Sequence, residues 1–368
     1  MTISGSSAAL PCVVAADAKP YLRPIAARFA DLGPAGRRLA GGPLAFDHLH
    51  VRLRPGGVDA IVPVDKVLEW SADVGASFHA SVRQQLERMT APRADIAGLT
   101  MDRPRLMGVL NVTPDSFSDG GDFVDIEAAI DHAWEMIQAG VDLIDVGGES
   151  TRPAATETPA DIETERALPV LAGLSNAPVP LSIDTRHAAV MRSAVAAGAA
   201  IINDVSALRH EPESLAVAAE AGLPVVLMHA QGDPASMQDD PVYDDVLLDV
   251  YDVLEARVDA CEAAGIARDR LVLDPGIGFG KTLFHNLQLL RGLSLFHGLG
   301  CPLLLGVSRK GFIGHLSGEK TPAARLPGSL AAMLQGMAQG VQIVRVHDVA
   351  ESRQAMTIWH ALITGGPC

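Results

Sequence analysis

The chain has 368 residues, 48% apolar and 20% charged, which is enough to bury a large core and ordinary for a globular enzyme. A formal charge of -15 argues against a nucleic-acid partner, because such a protein needs a basic face to displace counterions. Any anionic substrate must therefore be held by local cations or a metal working against the overall field.

No apolar run reaches the length of a membrane span, and no basic segment precedes an apolar one at the amino terminus. The cysteines, at positions 12, 261, 301 and 368, show neither C-x-x-C nor metal spacing. These features predict a cytoplasmic protein with reduced thiols and no membrane partner.

Residues 1–100 carry scattered Pro and Gly with short alternating pieces such as 48–53, and one helix is expected over 78–89. This extension reads as a small α+β unit without a catalytic constellation. It either packs beside the rest of the chain or serves an oligomer contact. His48, His50 and His79 read as surface or packing histidines rather than metal ligands.

From Arg105 the pattern becomes regular. Strands are expected at 105–111, 142–147, 180–184, 200–205, 224–229, 271–275, 302–308 and 342–347, with helical stretches between them. In the first helix Ile126, Ala129, Ile130, Ala133 and Ile137 recur at helical spacing, Asp125 is a possible N-cap, and Gly140 stands where a helix ends. Eight strand-then-helix units over about 260 residues fit a (β/α)8 TIM barrel following an extension of about 100 residues. A doubly wound open sheet is the alternative, since strand count alone does not prove closure.

A barrel presents its chemistry where strands end. The first end, 107–121, runs into a polar loop rich in Asp, Ser and Gly. The ends supply Asn111, then 148–152 (GGEST with Arg152 following), Asp184, Asn203 with Asp204, Met228 with His229, Asp274, Ser308 to Lys310, and Arg345 with His347. A single Asp at such a position is most often a helix cap, but eight polar ends converging point to a site. Arg152, Arg345, His347 and Asn111 suit a phosphate-bearing group, with an amide oxygen for a hard cation such as Mg2+. Asp184, Asn203, Asp274 and Lys310 suit a flat heterocycle, because a carboxylate accepts two parallel N–H bonds and a lysine donates to a ring oxygen or nitrogen. For Asp274 and Lys310 the alternative is a buried ion pair between strands 6 and 7.

The run 275–282, PGIGFGKT, imitates a phosphate loop, but Pro275 stands where such a loop requires Gly. It reads as a tight turn that brings backbone near a flat ligand, with Phe279 as either a pocket wall or a core aromatic. No nucleophile elbow surrounds Ser150.

The segments NVTPDSFSDGG (111–121), IDVGGESTRP (144–153), SIDT (182–185), IIND (201–204), LDPGIGFGK (273–281), GVSRK (306–310) and RVHDV (345–349) resemble those of dihydropteroate synthase, in order and spacing, over residues 101–362. That resemblance implies condensation of 6-hydroxymethyl-7,8-dihydropterin diphosphate with para-aminobenzoate to give 7,8-dihydropteroate and diphosphate. It implies pterin binding by Asp184, Asn203, Asp274 and Lys310, with Phe279 and Met228 beside the ring. Diphosphate contacts would come from Asn111, Thr151, Arg345 and His347, with Asn111 also the Mg2+ ligand. Para-aminobenzoate contacts would come from Phe117, Arg152, Pro153 and Ser308, beside the start of the helix after Lys310. Asp119, Asp184, Lys310 and Arg152 would act in catalysis.

The chemistry needs no strong base, since a neutral arylamine is already nucleophilic and departure of diphosphate is the hard step. A dissociative substitution at the pterin methylene is therefore expected. A homodimer through the last barrel helices is also implied by the likeness, and the apolar pattern of Leu330, Met333, Leu334 and Met337 fits either core or interface. A pterin-dependent methyltransferase or a non-catalytic pterin-binding paralogue are the rival readings.

Overall fold

The computed structural model describes residues 10, 14–32, 36–112, 121–150, 157–232 and 237–366, with no side chains described for 29–30 and 121–125. The extension comprises β1 (Lys19–Pro24), β2 (Ala27–Arg28), α1 (Phe29–Leu32), β3 (Arg37–Arg38), β4 (Leu44–Phe46), β5 (His48–Arg54), β6 (Asp59–Pro63), α2 (Val64–Val74) and α3 (Ala76–Thr90). It forms two antiparallel sheets, β1-β5-β6 and β2-β4-β3. β5 alternates strictly between buried and half-buried residues, as its sequence predicts for a strand with one covered face. The expected helix is α3. The preceding α2 was not anticipated: Pro63 makes no side-chain cap, and Val64, Val67 and Trp70 form only a thin stripe. His48 pairs with Asp47, His50 with Asp59, and His79 with the Ser71 hydroxyl, so all three have packing or surface roles.

The eight long-range strands are β7 (Arg105–Asn111), β8 (Leu143–Gly147), β9 (Leu181–Asp184), β10 (Ile201–Asp204), β11 (Val225–Met228), β12 (Leu271–Asp274), β13 (Leu304–Gly306) and β14 (Ile343–Val346). Each begins within two residues of its expected start. β8 through β12 are buried at every residue because one face meets the barrel interior and the other meets helices, which is why they read as continuous apolar runs. Helices α4 (Gly121–Gln138), α5 (Ala160–Gly173), α6 (Ala188–Ala196), α7 (Ser214–Ala221), α8 (Val246–Ala263), α9 (Leu283–Gly292), α10 (Gly311–Ser317), α11 (Leu326–Met337) and α12 (Val349–Thr364) follow the strands. α4 starts before the expected cap at Asp125, and its stripe of Ala129, Ala133 and Met136 is buried against the sheet.

Strand order settles the architecture. The sheet runs β12-β11-β10-β9-β8-β7-β14-β13, all parallel, and a parallel bridge from Leu273 to Leu303 joins its two ends. This is the circular order of a barrel, not the reversing order of an open doubly wound sheet. Met107, Leu143, Ile201, Val226, Val272, Leu304 and Ile343 fill the lower interior together with Ile96 and Met101. Ile96 comes from a short turn in which Ile96 and Leu99 bridge each other, so the boundary expected near residue 100 falls within the barrel floor.

The extension docks on the outside of the barrel, largely through charge. Lys19 Nζ lies 2.5 Å from both Asp252 and Glu255, Arg52 meets Asp245 at 2.5 Å, and Arg54 meets Asp249 at 2.7 Å. Tyr21 adds its hydroxyl to Asp252 at 2.8 Å. A basic strand edge thus faces the acidic side of α8, while Trp359 and Ile363 of α12 pack on the extension's own core. No helix among the described residues is long and apolar enough to cross a membrane. These pairs are half-exposed, so each contributes about 0.5–1 kcal/mol. Arg54→Glu is expected to lower the melting temperature by roughly 1–3 °C, with recovery in the Arg54→Glu/Asp249→Arg double variant. Scanning calorimetry at low and high salt checks it, and an unchanged melting temperature at low salt would contradict this docking.

Candidate functional site

A cavity of about 720 Å3 opens at the carboxyl ends of the strands. Asn111, Asp184, Asn203, Met228 and Asp274 line it, from β7, β9, β10, β11 and β12. Phe279, Ser308, Lys310, Arg345 and His347 line it too, from β14 and the turns after β12, β13 and β14. Ten side chains singled out at seven strand ends and the turns that follow them therefore meet in one bowl. Phe117, Asp119, Thr151, Arg152 and Pro153 lie outside the described residues.

The floor of the bowl is charged. Arg345 Nε donates to Asp145 at 2.7 Å and its Nη2 to Asp184 at 2.8 Å. Asn203 Nδ2 donates to the same Asp145 oxygen at 2.9 Å, which fixes the orientation of the amide. One guanidinium thus stands between two buried carboxylates. Burial pushes the Asp184 carboxyl up to about 8, against the pull of Arg345 and with the help of the Asp145 field. Asp184 Oδ1 is buried without a hydrogen-bond partner while the residue lines the cavity, so it is an acceptor, or a protonated donor, awaiting a ligand. Asp145, wholly buried in the middle of β8, was missed from sequence; a lone acid between apolar neighbours in LIDVG was the available signal. Arg345 was expected with the phosphate groups, yet two of its nitrogens are turned to carboxylates. Among the described residues its Nη1 makes no hydrogen bond.

The opposite wall holds Asp274 and Lys310. They form no direct ion pair among the described residues, although each lies in the other's field. Asp274 Oδ1 accepts the Gly276 N–H at 2.7 Å, and burial raises its carboxyl. Lys310 donates to the Ile277 carbonyl and lies 4.5 Å from the centre of the Phe279 ring. Burial lowers its ammonium to about 8, Asp274 opposing and Arg345 assisting.

The glycine turn between them serves the protein's own packing. Gly276 has φ +68°, and a Cβ there would lie 1.9 Å from the His229 carbonyl oxygen. Of the glycines in this turn, Gly278 is the one whose Cβ direction faces the cavity lysine, 3.3 Å from Lys310 Cδ. The turn is tied down by Lys281, a second residue the sequence reading passed over: its buried Nζ donates to the carbonyls of His229 and Phe279 and to His229 Nδ1. Desolvation holds the Lys281 ammonium well below its usual range and His229 down to about 2, so the ring accepts in its neutral form.

On the third side, Ser308 Oγ accepts the His347 backbone N–H at 3.2 Å and lies 3.0 Å from His347 Nδ1. If the hydroxyl donates to Nδ1, the neutral ring carries its proton on Nε2. Arg309, between Ser308 and Lys310, has φ +60° and is held there by the Ser329 hydroxyl and by Asp348. α10 begins at Gly311 as expected but is only seven residues long. Asp204 is a turn anchor: its carboxylate accepts from the backbone of Ser206 and Leu208. Asn111 Oδ1 lies beside Gly147, whose missing side chain leaves it facing Asp184. An amide oxygen is a suitable ligand for a hard cation such as Mg2+, which binds through few protein oxygens and fills its shell with water and phosphate. Among the described residues, the clusters of acidic and histidine groups with metal-like spacing centre on His187, and one of them takes in Glu149 from the cavity lining.

Comparison with known proteins agrees with this geometry. The profile of the family described as pterin binding enzyme matches residues 107–347. The chain is 48% identical over 267 residues to the dihydropteroate synthase of Escherichia coli (strain K12), an alignment that covers 72% of this chain and 94% of the relative. It is similar, at 49% identity and a TM-score of 0.69, to the Xanthomonas albilineans dihydropteroate synthase solved with 4-aminobenzoic acid, with 74% of this chain and 98% of that one covered. A second structure of the Xanthomonas albilineans enzyme, in complex with 7,8-dihydropteroate, has 46% identity and a TM-score of 0.67 over the same shares.

The raised Asp184 carboxyl has a cost in stability. It binds a proton in the folded state that it lacks unfolded between its ordinary 3.8 and about 8, so folding weakens as pH rises through that window. Asp184→Asn is expected to raise the melting temperature at pH 8 by about 2–4 °C and to change it less at pH 4. Thermal unfolding at both values checks this, and a destabilised variant at pH 8 would contradict it.

Proposed function

The chain belongs to the pterin-binding enzymes, among the dihydropteroate synthases, and from that premise we propose how its bowl carries the reaction. The enzyme condenses 6-hydroxymethyl-7,8-dihydropterin diphosphate with para-aminobenzoate, forming 7,8-dihydropteroate and releasing diphosphate. The observation that carries the residue assignment is the convergence of Asp184, Asn203, Asp274 and Lys310 on one cavity that also takes in Asn111, Ser308 and His347.

The pterin ring lies between the two acidic walls. Its amino and ring N–H groups donate to Asp274 and to the partnerless oxygen of Asp184, Asn203 adds its amide, and Lys310 donates to a ring acceptor. Met228 and Phe279 flank the flat faces. Arg345 joins the two halves: Nε and Nη2 hold the carboxylates, and Nη1 is left for the diphosphate together with Asn111, Thr151 and His347. Asn111 would hold Mg2+ through its amide oxygen, and the ion would neutralise charge on the departing diphosphate. Para-aminobenzoate takes Phe117, Arg152, Pro153 and Ser308.

The nucleophile is a neutral arylamine, so catalysis falls on the leaving group. Arg345 and His347 stabilise the negative charge that develops as the C–O bond opens. The methylene left behind is conjugated to the ring and cationic; that developing charge lowers the raised Asp184 carboxyl, and ionised Asp184 with Asp119 favours the cation. The substitution is accordingly dissociative, with Asp184 more effective in the transition state than in the bound substrate. The protein acts in the cytoplasm as a homodimer, a reading supported by Ile358 and Leu362, which stand 59% and 67% exposed on α12.

Two measurements test this. Diphosphate release is expected to require both substrates and Mg2+, and release without para-aminobenzoate would point to another acceptor. Asp184→Asn is expected to lower kcat about 100-fold while the Kd for the pterin substrate changes less than 10-fold. An unchanged kcat would refute the role given to Asp184.

A further inference from the structure

The extension meets the barrel at the start of α8, beside a segment that borders the cavity, and the chemistry above gives that contact no part. Arg52 and Arg54 stand two apart on β5 and so share a face, while Asp245 caps α8 and Asp249 lies one turn further on. Asp245 Oδ2 accepts from Arg52 at 2.5 Å, and its Oδ1 accepts the Leu247 and Leu248 N–H groups at 3.1 and 3.2 Å. Asp249 Oδ1 accepts from Arg54 at 2.7 Å, and its Oδ2 accepts the Asp245 N–H at 3.1 Å. Each carboxylate therefore gives one oxygen to the helix start and the other to the extension. Burial alone would raise the Asp245 carboxyl, but the Arg52 bond and the two amides hold it below its ordinary range.

Two residues ahead of that cap, the Tyr243 hydroxyl donates to the Gly280 carbonyl at 2.7 Å, and Gln238 Nε2 of the same segment donates to the Gly278 carbonyl at 2.6 Å. Burial raises the Tyr243 hydroxyl above its ordinary 10, so it donates in its neutral form, and its ring meets His285 of α9 edge-on with centroids 5.0 Å apart. Both acceptors belong to the turn 275–282. The same turn presents the Ile277 carbonyl to Lys310 and lays the Phe279 ring against its ammonium. On its other side the turn is in close contact with the end of β11, since a Cβ on Gly280 would lie 2.4 Å from the Gln231 carbonyl oxygen. Gln238, Gly278, Phe279 and Lys310 all line the cavity. A chain of contacts thus runs from Arg52 through Asp245 and Tyr243 to the turn, and from the turn to Lys310.

We propose that the extension takes part in pterin binding, with Arg52 and Tyr243 as positioning residues: Arg52 fixes the cap of α8, the cap fixes Tyr243, and Tyr243 holds the turn that aims Lys310 and Phe279. The proposal rests on the assignment of Lys310 and Phe279 to the pterin ring. Without Arg52 the Asp245 side chain regains its rotamers and the first turn of α8 frays, which frees the segment that carries Tyr243. Without the Tyr243 hydroxyl the Gly280 carbonyl loses its donor, and the turn no longer presents Ile277 and Phe279 to Lys310 in one geometry. A flat ring recognised by a few directional hydrogen bonds loses affinity when one donor is displaced, while the reacting methylene is untouched. Lys19 offers the contrast. It meets Asp252 and Glu255 two turns further along α8, so it docks the extension without reaching the cap.

The test compares the full-length wild type with Tyr243→Phe, Arg52→Gln, their double variant and Lys19→Gln. Tyr243→Phe is expected to raise the Kd for the pterin substrate about 5-fold, the size of one lost hydrogen bond, and Arg52→Gln about 3-fold, the size of a half-exposed ion pair. The KM for para-aminobenzoate stays unchanged in both. The double variant is expected to lose about 5-fold rather than about 15-fold, because Arg52 acts through Tyr243. Lys19→Gln lowers the melting temperature as much as Arg52→Gln does and leaves the pterin Kd alone. Hydrogen exchange at the Phe279 amide, which donates to the Gly276 carbonyl within the turn at 3.1 Å, is read without substrates. It quickens in Tyr243→Phe and Arg52→Gln but not in Lys19→Gln. Multiplicative losses in the double variant, an equal loss of pterin affinity in Lys19→Gln, or an unaltered Kd in Tyr243→Phe overturns the proposal. Absence of dihydropteroate formation by the wild type would instead sink the functional reading, with exchange at Phe279 still deciding whether the extension holds the turn.

Discussion

One guanidinium shared between two buried carboxylates governs this active site. Arg345 reaches Asp145 and Asp184 at once, and neither acid is accessible enough to be neutralised by water. Removing Arg345 leaves two buried carboxylates without their cation, a loss of about 3–5 kcal/mol, so both acids depend on it. The same arrangement underlies reactivity: a single cation cannot fully satisfy two anions, and the shortfall keeps Asp184 poised between protonation states with one oxygen unpartnered. A ligand that brings N–H donors and positive charge completes what the protein leaves incomplete.

Barrel closure is what makes that contact possible. In the sheet, β14 and β9 are separated by β7 and β8, a lateral distance of about 14 Å if the strands lay flat, at about 4.8 Å per strand. A salt bridge at 2.8 Å between Arg345 and Asp184 requires the sheet to curl so that both side chains point into a common interior. The floor built from Met107, Leu143, Ile201 and their neighbours sets the depth of that interior, and the turn containing Ile96 seals it. Above the floor the strands replace apolar side chains with Asp145, Asp184, Asn203 and Arg345, and apolar packing gives way to charge.

Much of this was legible in the sequence because the two signals are strong and independent. Strands buried on both faces give uninterrupted apolar runs, and polar groups at their ends have no structural reason to recur eight times. What escaped has physical explanations. Asp145 sits inside a strand and not at its end, so a rule about ends passes over it. Arg345 was assigned to phosphate by its charge, whereas its partners are acids on β8 and β9 that only closure brings near. The turn at Gly276 was read as making room for a ligand, but the constraint on that glycine is the His229 carbonyl, a contact between distant segments that no local pattern encodes. The extension was readable as α+β, yet its docking on α8 depends on Asp245, Asp249 and Asp252 lining one side of a helix whose partner lies about 190 to 230 residues away in the chain.

The sharing of Arg345 between Asp145 and Asp184 is most directly tested by carbon-13 NMR of the side-chain carboxyls, titrated from pH 4 to pH 9 with Asp184 assigned by substitution. The account predicts that Asp184 in the free enzyme titrates far above the ordinary aspartate range, near 8, and that Asp145→Asn brings it down. An Asp184 carboxyl that titrates near 4 in the wild type, or one indifferent to the loss of Asp145, would contradict it.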